Sequence, residues 1–337
     1  MSKVQKRSRS VKRNKKRIKK AKEIYRIKNW SSYNDSLKAR GSLSVWFSQE
    51  ALSAWYYEGP RKRGGKIVYS DLAIETALTL RLIYHLGLRQ SEGFLGSIIA
   101  LMGLDIEAPD YSTLSRRTGD LSIDLGGREP EAPRHVVVDS TGLKVYGEGE
   151  WLVRQHGWRK HRRWLKVHLA VEAQNGAILA CAVTTNAIPD AEQVPELLEQ
   201  VDGPMAKVGG DSAYDKWAVY DYLAKPSFQD PPIEPAIAPQ KNARIKQHGN
   251  TKKPPLPRDQ AIRAIRKKGR KKWKQDTGYH RRSLAETAMS RYKRIIDDHV
   301  NSKSLKNQEK ETKLGCRLLN KMDELGKPAS YKVASGI

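Results

Sequence analysis

The succession of strand patterns from residue 134 onwards constrains the fold of this chain more than any other feature of its sequence. His135–Asp139 is a short β-branched run that ends in an acid, as a buried central strand would. Trp164–Glu172 alternates in hydrophobicity, and Ala177–Thr184 is an apolar run. Asn175-Gly176 between them is a strong short-range hairpin signal. The pattern predicts three antiparallel strands in sequence.

The elements after these strands predict a mixed sheet. Asp190–Gln193 is a capping-box start for a helix that continues to Val201. A strand at residues 207–210 leads into Asp211, and a helix at 215–224 precedes a further strand at 234–238. A final helix carries Glu286. Three antiparallel strands followed by helix, strand, helix, strand and helix is the order of an α/β fold with a ribonuclease H-like mixed sheet.

A helical region precedes this core. Ser70 and Asp71 can cap a helix that runs to Leu86, and two further helices are predicted at residues 89–102 and 112–117. Their arrangement has helix-turn-helix character, which favours DNA binding, but a plain packing bundle fits the pattern equally well. We therefore predict a basic arm at 1–28, a helical DNA-binding or end-recognition region at 29–127, a catalytic domain at 134–298 with a basic insertion at 241–277, and a helical tail at 299–337 whose amphipathic helix spans Leu305–Leu325.

The positive charge of the chain is concentrated in two blocks. The net charge is +26 over 337 residues. Residues 1–28 contain fourteen Lys and Arg against Glu23 alone, and residues 241–282 contain sixteen against Asp259 and Asp276. The rest of the chain is close to neutral. Such blocks release counterions when they meet a polyanion, so they predict binding to double-stranded DNA, with solvated lysines as the alternative interpretation.

Several classes of protein are disfavoured by the sequence. Cys181 and Cys316 are the only cysteines, too few for a disulfide framework, and they form no zinc motif. The N-terminus lacks the apolar segment of a signal peptide, and the longest apolar run, residues 94–104, is too short to cross a bilayer. No glycine-rich phosphate loop implies a nucleotide cofactor. We expect a cytoplasmic protein with no membrane partner.

The segment 278–293 carries an unusual stripe of side chains. If it is a helix, Tyr279, Arg282 and Lys293 lie within roughly 40° of Glu286 on the helical wheel. An acid flanked by cations and an aromatic ring is unsuited to a hydrophobic core. The stripe instead fits a site where the carboxylate holds a metal ion and the cations hold a phosphate backbone. The neighbouring Arg281 is a further predicted DNA contact.

Asp139, Asp211 and Glu286 are the candidate catalytic and metal-binding residues. In the predicted fold Asp139 lies on the first strand of the sheet, Asp211 at the end of the fourth, and Glu286 on the helix packed beside them. Three converging carboxylates repel one another unless a cation lies among them. Hard oxygen ligands favour Mg²⁺ or Mn²⁺, and two such ions about 3.5 to 4 Å apart catalyse in-line phosphoryl displacement. The alternative metal site, His156, His161 and His168 near Cys181, matches no zinc spacing.

A second group of candidate DNA-binding residues mixes cations with aromatic rings just before the second strand. Such a mixture can grip a phosphate backbone and stack a splayed base. A packing role for the two tryptophans at the ends of this segment is nearly as well supported. The predicted DNA-contacting residues of this segment are Trp158, Arg159, Lys160, Arg162 and Arg163.

The spacing of the stripe resembles a known family. Tyr279, Arg282, Glu286 and Lys293 reproduce the Tyr-x2-Arg-x3-Glu-x6-Lys signature of bacterial insertion-sequence transposases of the DDE type, in particular of the "IS five" family. Residues 138–142 are similar to the family's first-Asp motif and 210–215 to its second, and residues 238–244 and 318–322 also look familial. The resemblance covers roughly residues 68 to 328, and no catalytic position departs from the pattern.

The resemblance implies a fold, a reaction and a set of roles. A ribonuclease H-like core would cut at the terminal inverted repeats of a mobile element, and the freed 3′ hydroxyl would attack target DNA. Asp139 would bridge two metal ions, and Asp211 and Glu286 would each complete one of them. Tyr279, Arg282 and Lys293 would hold phosphates near the cleaved strand. Synapsis of two ends implies at least a dimer on DNA, and the resemblance implies a location in the cytoplasm at the bacterial nucleoid.

Two other functions remain open at the level of the sequence. The chain could be a repressor or architectural protein that binds DNA through the same basic surfaces and whose acids are structural. It could also be a ribonuclease H-like nuclease that cuts without joining strands.

Overall fold

The computed structural model describes residues 24–60, 64, 66–126, 130, 132–145, 164–226, 228–229, 231–248, 252 and 254–333. Its centre is a mixed sheet in the order β4-β3-β2-β5-β6. The first three strands in sequence are antiparallel to one another, and β5 and β6 run parallel to β2. This arrangement confirms the predicted ribonuclease H-like α/β fold. The strands are β1 (Ile24–Ile27), β2 (Arg134–Val145), β3 (Trp164–Glu172), β4 (Ile178–Thr185), β5 (Met205–Gly210), β6 (Glu234–Ile237), β7 (His299–Val300) and β8 (Ser330–Val333).

Twelve helices of the described part of the chain surround the sheet. They are α1 (Trp30–Ala39), α2 (Leu43–Trp46), α3 (Gln49–Ser53), α4 (Asp71–Ile83), α5 (Leu88–Leu101), α6 (Tyr111–Thr118), α7 (Val194–Glu199), α8 (Trp217–Leu223), α9 (Pro257–Lys268), α10 (Arg270–Asp276), α11 (Ser283–Ile295) and α12 (Leu305–Leu325). The helices α7 and α8 cover one face of the sheet. Their buried residues, Leu197 and Tyr220 among them, form one of its two apolar layers.

Strand β2 is longer than the sequence predicted. The prediction that the strand ends at Asp139 is wrong, because β2 continues to Val145 and pairs with β3 as far as Lys144. Leu143 in this extension is fully buried, and its burial favours continuation of the strand. Asp139 therefore lies in the middle of a regular strand, opposite Leu169.

The predicted hairpin between β3 and β4 is present. Gly176 has φ of +78°, in the left-handed region that glycine adopts without steric cost. The Asn175 side-chain oxygen accepts a hydrogen bond from the amide of Ala177 at 2.8 Å. These two residues fix the turn, and with it the antiparallel register.

The N-terminal helices pack on the other face of the sheet. Ser70 caps α4 as predicted, because its hydroxyl accepts a hydrogen bond from the amide of Ala73. The helix ends at Ile83 rather than at Leu86, since His85 takes a φ of +52° that breaks the helical path. The hydrophobic core under these helices is continuous from Trp46 to Met322.

The predicted tail is part of this core. Helix α12 has the predicted limits, Leu305–Leu325, and its residues Cys316 and Leu319 are buried. The Asn320 side chain bonds to both the amide and the carbonyl of Ile178, the first residue of β4. Strand β7, at the start of the predicted tail, pairs with the end of β2. The sheet therefore includes residues on both sides of the predicted boundary between residues 298 and 299.

The structure changes the expected ends of two further segments. Residues 24–27, predicted as part of the basic arm, form β1 and pair with β8 in a separate two-stranded sheet. Their partner lies some three hundred residues away, so a local pattern could not reveal it. Residues 279–282 form a 3-10 turn, and the predicted helix begins only at Ser283. Gly278 precedes this turn with φ of +70°.

Candidate active site

The three candidate acids come from three elements that the sheet brings together. The register of the parallel pair β2 and β5 places Val137 beside Gly209, so Asp139 and Asp211 each lie two residues further along neighbouring strands. Such strands are about 4.8 Å apart. Helix α11 contributes Glu286. The opposite side of this helix, which includes Ala288 and Tyr292, is buried in the core and holds the acid-bearing side toward the groove.

The guanidinium of Arg282 joins two of these acids. Its Nη1 lies 3.4 Å from Asp139 Oδ2, and its Nη2 lies 2.6 Å from Glu286 Oε1. The side chain of Asp139 is 16% exposed and that of Glu286 is 52% exposed. The acid on the strand is therefore largely withdrawn from water, while the acid on the helix remains accessible to a ligand.

The ionisation of Asp139 reflects these surroundings. Burial raises the pKa of its carboxyl, and the neighbouring charges of Asp211 and Glu286 raise it further. The hydrogen bond from the amide of Ser140 and the charge of Arg282 act in the opposite direction but do not compensate. The surroundings of Asp139 therefore stabilise its negatively charged form less than water does.

Asp211 belongs to the same electrostatic cluster. Burial alone would lower the pKa of Arg282, but the charges of Tyr279, of Glu286 and of the two aspartates raise it above the usual value. Among the described residues, Asp211 accepts one hydrogen bond, from the amide of Ala213 at 2.7 Å, as the cap of a 3-10 turn. Within the same part of the chain, its other carboxylate oxygen has no hydrogen-bond donor.

A groove of about 650 Å³ opens over Asp139 and Glu286. Lys293 and Arg294, from the last turn of α11, supply positive charge to its wall. Acid at the bottom and cations on the wall form a surface that can accept a phosphodiester and hold a cation beneath it. The groove is lined by Asp139, Ser140, Thr141, Glu286, Met289, Ser290, Lys293, Arg294 and Asp298.

Tyr279 lies between the acids and the basic segment. Its ring centroid is 5.8 Å from that of Trp273 in α10, and Lys274 lies 4.7 Å above the ring. The guanidinium of Arg282 lies 5.9 Å from the same ring centroid. The predicted stripe is therefore assembled partly by contacts with the basic segment and only partly by helical periodicity.

The remaining predicted DNA contacts have different positions. Arg281 donates a hydrogen bond to the carbonyl of Ala173 at 3.0 Å and is not among the residues that line the groove. Trp158, Arg159, Lys160, Arg162 and Arg163 lie outside the described residues. His168, the one member of the alternative histidine group that is described, is fully buried and contacts the hydroxyl of Thr184.

The donor set of the groove fits a divalent cation. The three side chains offer only hard oxygen ligands, and the positive charge between Asp139 and Glu286 is supplied by Arg282. Among the described residues, Asp297, Asp298 and His299 are the group of three potential ligands whose atoms all lie within 4.8 Å of one another. Asp139, Asp211 and Glu286 are more widely spaced than this. The guanidinium of Arg282 lies between Asp139 and Glu286, and Asp211 is not among the residues that line the groove.

Sequence reasoning did not identify Arg294 and Ser290 as groove residues. Both line the groove on the helix that carries Glu286. Ser290 follows Glu286 by four residues, and Arg294 follows Ser290 by four. This i, i+4 spacing was the available signal, because such residues share one face of a helix.

Comparison with known proteins places this groove in a family context. A family model described as "Transposase DDE domain" matches residues 130–321, which include β2, β5 and α11. A second model with the same description matches residues 38–148. The chain belongs to the DDE transposase family. DDE transposases are in general metal-dependent catalysts of DNA transposition, and the candidate acids Asp139, Asp211 and Glu286 lie within the matched region.

One solved structure is similar to this DDE transposase over most of its length. It is described as the "Cryo-EM structure of piggyBac transposase synaptic complex with hairpin DNA". The similarity covers 85% of this chain and 73% of the other, with 12% sequence identity and a TM-score of 0.34.

Within the described residues, no helix is both long enough and apolar enough to span a bilayer.

Proposed function

We propose that this chain is the transposase of an insertion sequence related to the "IS five" family. It cuts DNA at the terminal inverted repeats of its element and joins the freed 3′ ends to target DNA. Asp139, Asp211 and Glu286 are the catalytic acids, and together they hold two Mg²⁺ or Mn²⁺ ions. The protein works at least as a dimer, because two element ends must be brought together.

One observation carries this proposal. A single guanidinium, that of Arg282, contacts acids from a strand and from a helix that are 147 residues apart in sequence, and Asp211 lies within reach of its charge. Burial, and to a smaller extent the charges of Asp211 and Glu286, raise the pKa of Asp139, so its carboxylate is not fully compensated by Arg282. An incompletely compensated carboxylate in a groove destabilises the metal-free protein. A bound metal cation would supply the missing positive charge.

The residues of the groove divide the work by chemistry. When bound, the metal ions would activate the attacking oxygen and stabilise the charge on the leaving oxygen. Asp139 is held rigidly in the middle of β2, so it is the best placed of the three to contact both ions. Lys293 and Arg294 pair with phosphates on either side of the scissile bond, and Arg282 can turn from the carboxylates to a phosphate oxygen.

Amide substitution of the acids tests the proposal. The substrate is a labelled duplex carrying one inverted repeat from the DNA that flanks the gene. We expect Asp139→Asn, Asp211→Asn and Glu286→Gln each to lower Mg²⁺-dependent cleavage about a thousandfold or more, since each removes a metal ligand. Binding of the duplex in the presence of a chelator should persist. Asp221→Asn, an exposed acid on α8, is the matched control and should cleave normally.

The same experiment separates the other functions. Unchanged behaviour of all three amide variants, with binding but no cleavage by the unmodified protein, would identify a DNA-binding repressor. Cleavage that depends on the acids, without joining of a pre-cut end to a target plasmid, would identify a nuclease. Joining of the pre-cut end by the unmodified protein, and its loss in Asp139→Asn, is the result that a transposase requires.

A further inference from the structure

A second cleft lies between the N-terminal helices and the segment that follows β7. Its volume is about 760 Å³. One wall is formed by the start of α5 and by α6, and the other by residues 301–304. Four cations line it, namely Arg81, Arg89, Arg116 and Lys303, together with several hydroxyl groups, and none of the described residues that line it is an acid. A cleft of this composition is suited to an anion.

The floor of the cleft contains a buried arginine whose hydrogen bonding is incomplete. Arg81 is 7% exposed, and its Nε has no hydrogen-bond partner among the described residues. Its one ion pair is long, with 3.7 Å between Nη1 and Glu311 Oε2. A buried guanidinium normally has its donors satisfied, so the unused Nε indicates capacity for a further acceptor.

The acid beside Arg81 is already engaged elsewhere. The two carboxylate oxygens of Glu311 accept hydrogen bonds from the amides of Asn301 and Ser302, each at 2.9 Å. These bonds fix the loop that forms one wall of the cleft. They also draw the carboxylate away from Arg81, so the positive charge of the floor is only partly compensated.

The rim of the cleft presents cations in defined orientations. Arg89 stacks over the ring of Tyr111, with 4.4 Å between its guanidinium carbon and the ring centroid. Arg116 is held by a hydrogen bond from its Nη2 to the hydroxyl of Thr113 at 3.1 Å. Within the described part of the chain, Arg89, Arg116 and Lys303 form no salt bridge. Their charges are therefore free to pair with a ligand.

We propose that this cleft binds phosphates of the DNA backbone close to the cleaved end. The proposal rests on the proposed function, since it adds a second contact to the DNA held in the catalytic groove. Arginine forks pair with phosphate oxygens in a bidentate manner, which suits a phosphodiester. Arg89 covers one face of the Tyr111 ring, so that face is not available to stack a base.

The position of the cleft favours backbone DNA over a free phosphate. Asp298 lines the catalytic groove and Asn301 lines the cleft, so three residues connect the two surfaces. Three residues span at most about 11 Å. Each strand of duplex DNA carries one phosphate per about 3.4 Å of axis, so the cleft contacts phosphates about three or four nucleotides from those at the groove.

Neutralising the rim tests the proposal on the full-length protein. The variant is Arg89→Gln/Arg116→Gln, because both residues are exposed and neither belongs to the core. Binding of a fluorescein-labelled inverted-repeat duplex is measured by anisotropy between about 50 and 200 mM salt. We expect about tenfold weaker binding near physiological salt, and a plot of log K against log salt whose slope falls by about 1 to 2. Lys38→Gln/Lys321→Gln removes the same charge from exposed positions elsewhere and should leave the slope unchanged.

Neutral methylphosphonate linkages locate the contact. They are placed singly at successive phosphates near the cleavage position. We expect one or two positions at which the substitution weakens binding of the unmodified protein severalfold and has no effect on the Arg89→Gln/Arg116→Gln variant. This coupling requires a direct contact, which a general loss of charge or a folding defect would not produce. Equal sensitivity of both proteins at every position would overturn the proposal.

The remaining outcomes also decide the matter. If the rim variant binds the duplex as the unmodified protein does, the cleft is not a DNA site. If, in addition, inorganic phosphate raises the thermal midpoint of the unmodified protein but not of the variant, the cleft is a site for the free ion, and the proposal fails. Failure of the catalytic proposal would be visible separately, as cleavage insensitive to the amide substitutions.

Discussion

Asp211 and Asp215 lie four residues apart in one short motif, Gly210–Asp215, and the structure uses them in opposite ways. Asp211 acts electrostatically on Asp139 and Arg282 at the groove and, among the described residues, accepts a single hydrogen bond from a backbone amide. The side chain of Asp215 is completely buried and accepts bonds from Arg258, Gln240 and Tyr220. An acid whose acceptors are all occupied serves the fold, while an acid with free acceptors at a groove is available for chemistry.

The bonds to Asp215 act as a clamp on the basic segment. Arg258, near the start of α9, binds both of its carboxylate oxygens, at 2.7 and 2.9 Å. The ring of Trp217 lies under Arg258 and under Lys246, at 4.9 and 4.8 Å. Although burial alone would raise the pKa of Asp215, the bonds from Arg258 and Gln240 lower it. The clamp therefore fixes the basic segment beside the strand that delivers Asp211.

The largest effect that we predict is loss of this clamp. Asp215→Asn leaves the guanidinium of Arg258, whose side chain is 11% exposed, without its counter-charge. Breaking a buried pair from one side costs about 3 to 5 kcal/mol. We expect the free energy of unfolding, from urea denaturation, to fall by that amount. Asp35→Asn breaks an exposed pair with Lys38 and should change it by less than about 0.5 kcal/mol.

A double variant checks the physical reason. Arg258→Met combined with Asp215→Asn removes both charges and leaves no lone ion in the interior. It should be more stable than Asp215→Asn alone. If Asp215→Asn is as stable as the unmodified protein, the clamp does not hold the segment, and the contrast between the two aspartates is wrong.

The second effect concerns Arg282, which contacts acids at the groove as Arg258 contacts Asp215 in the interior. Arg282 touches two groove acids while a quarter of its side chain stays exposed, so its removal breaks no buried network. We expect Arg282→Gln to lower the single-turnover rate of cleavage about a hundredfold, which is about 2.7 kcal/mol of transition-state stabilisation. Its thermal midpoint should stay within about 2 °C. A variant that unfolds early but cleaves at the normal rate would show that Arg282 is structural.

The sequence could predict the three candidate acids because the strand order and the spacing of residues 279–293 are local patterns. Hydrophobic periodicity identified β2 to β6, and the register of a parallel pair then places Asp139 and Asp211 side by side. The division of roles between Asp211 and Asp215 is not a local pattern. It depends on Arg258, which is 43 residues away, and on the amide of Gln240.

Other features were out of reach of the sequence for the same reason. The cationic cleft joins residues 81–118 to residues 301–307, and no periodicity relates these segments. Strand β1 finds its partner at the opposite end of the described chain. The length of β2 was underestimated because an acid was interpreted as the end of a strand, whereas Asp139 is held in mid-strand by its neighbours on β3.

The third effect is the pH dependence of stability that the buried side chain of His168 produces. His168 lies opposite Ser140 in the sheet, and its Nδ1 has no hydrogen-bond partner among the described residues. Burial lowers the pKa of His168 to about 4. The unfolded chain takes up a proton near pH 6.5, so the folded state loses stability as the pH falls from about 6.5 to 4.

We expect this histidine to contribute about 2 kcal/mol to the loss of stability between pH 7.5 and pH 5. His168→Gln, which can still reach the hydroxyl of Thr184, should flatten the dependence by that amount. His135, whose pKa burial likewise lowers to about 4, would account for part of the remaining slope. His280→Gln, at an exposed position, is the control and should leave the profile unaltered. Parallel profiles for the His168 variant and the unmodified protein would contradict the assignment.

The smallest effect is on Asp139, where replacement of the acid should stabilise the protein, whereas Asp215→Asn should destabilise it. Because the pKa of Asp139 is raised by burial, the folded state holds its proton more tightly than the unfolded chain does. The contribution of Asp139 to the stability of the unmodified protein therefore falls as the pH rises above about 4, where the unfolded carboxyl ionises. Asp139→Asn removes this cost.

We expect Asp139→Asn to raise the thermal midpoint at pH 7.5 by about 1 to 2 °C in metal-free buffer, on the scale for a chain of this size. The gain should disappear at pH 3.5, where the native carboxyl is protonated. Added Mg²⁺ should stabilise the unmodified protein and not the variant, because binding to the folded state alone adds stability. A drop in the midpoint, as for Asp215→Asn, would mean that Asp139 is a satisfied structural acid and that the groove has lost its central ligand.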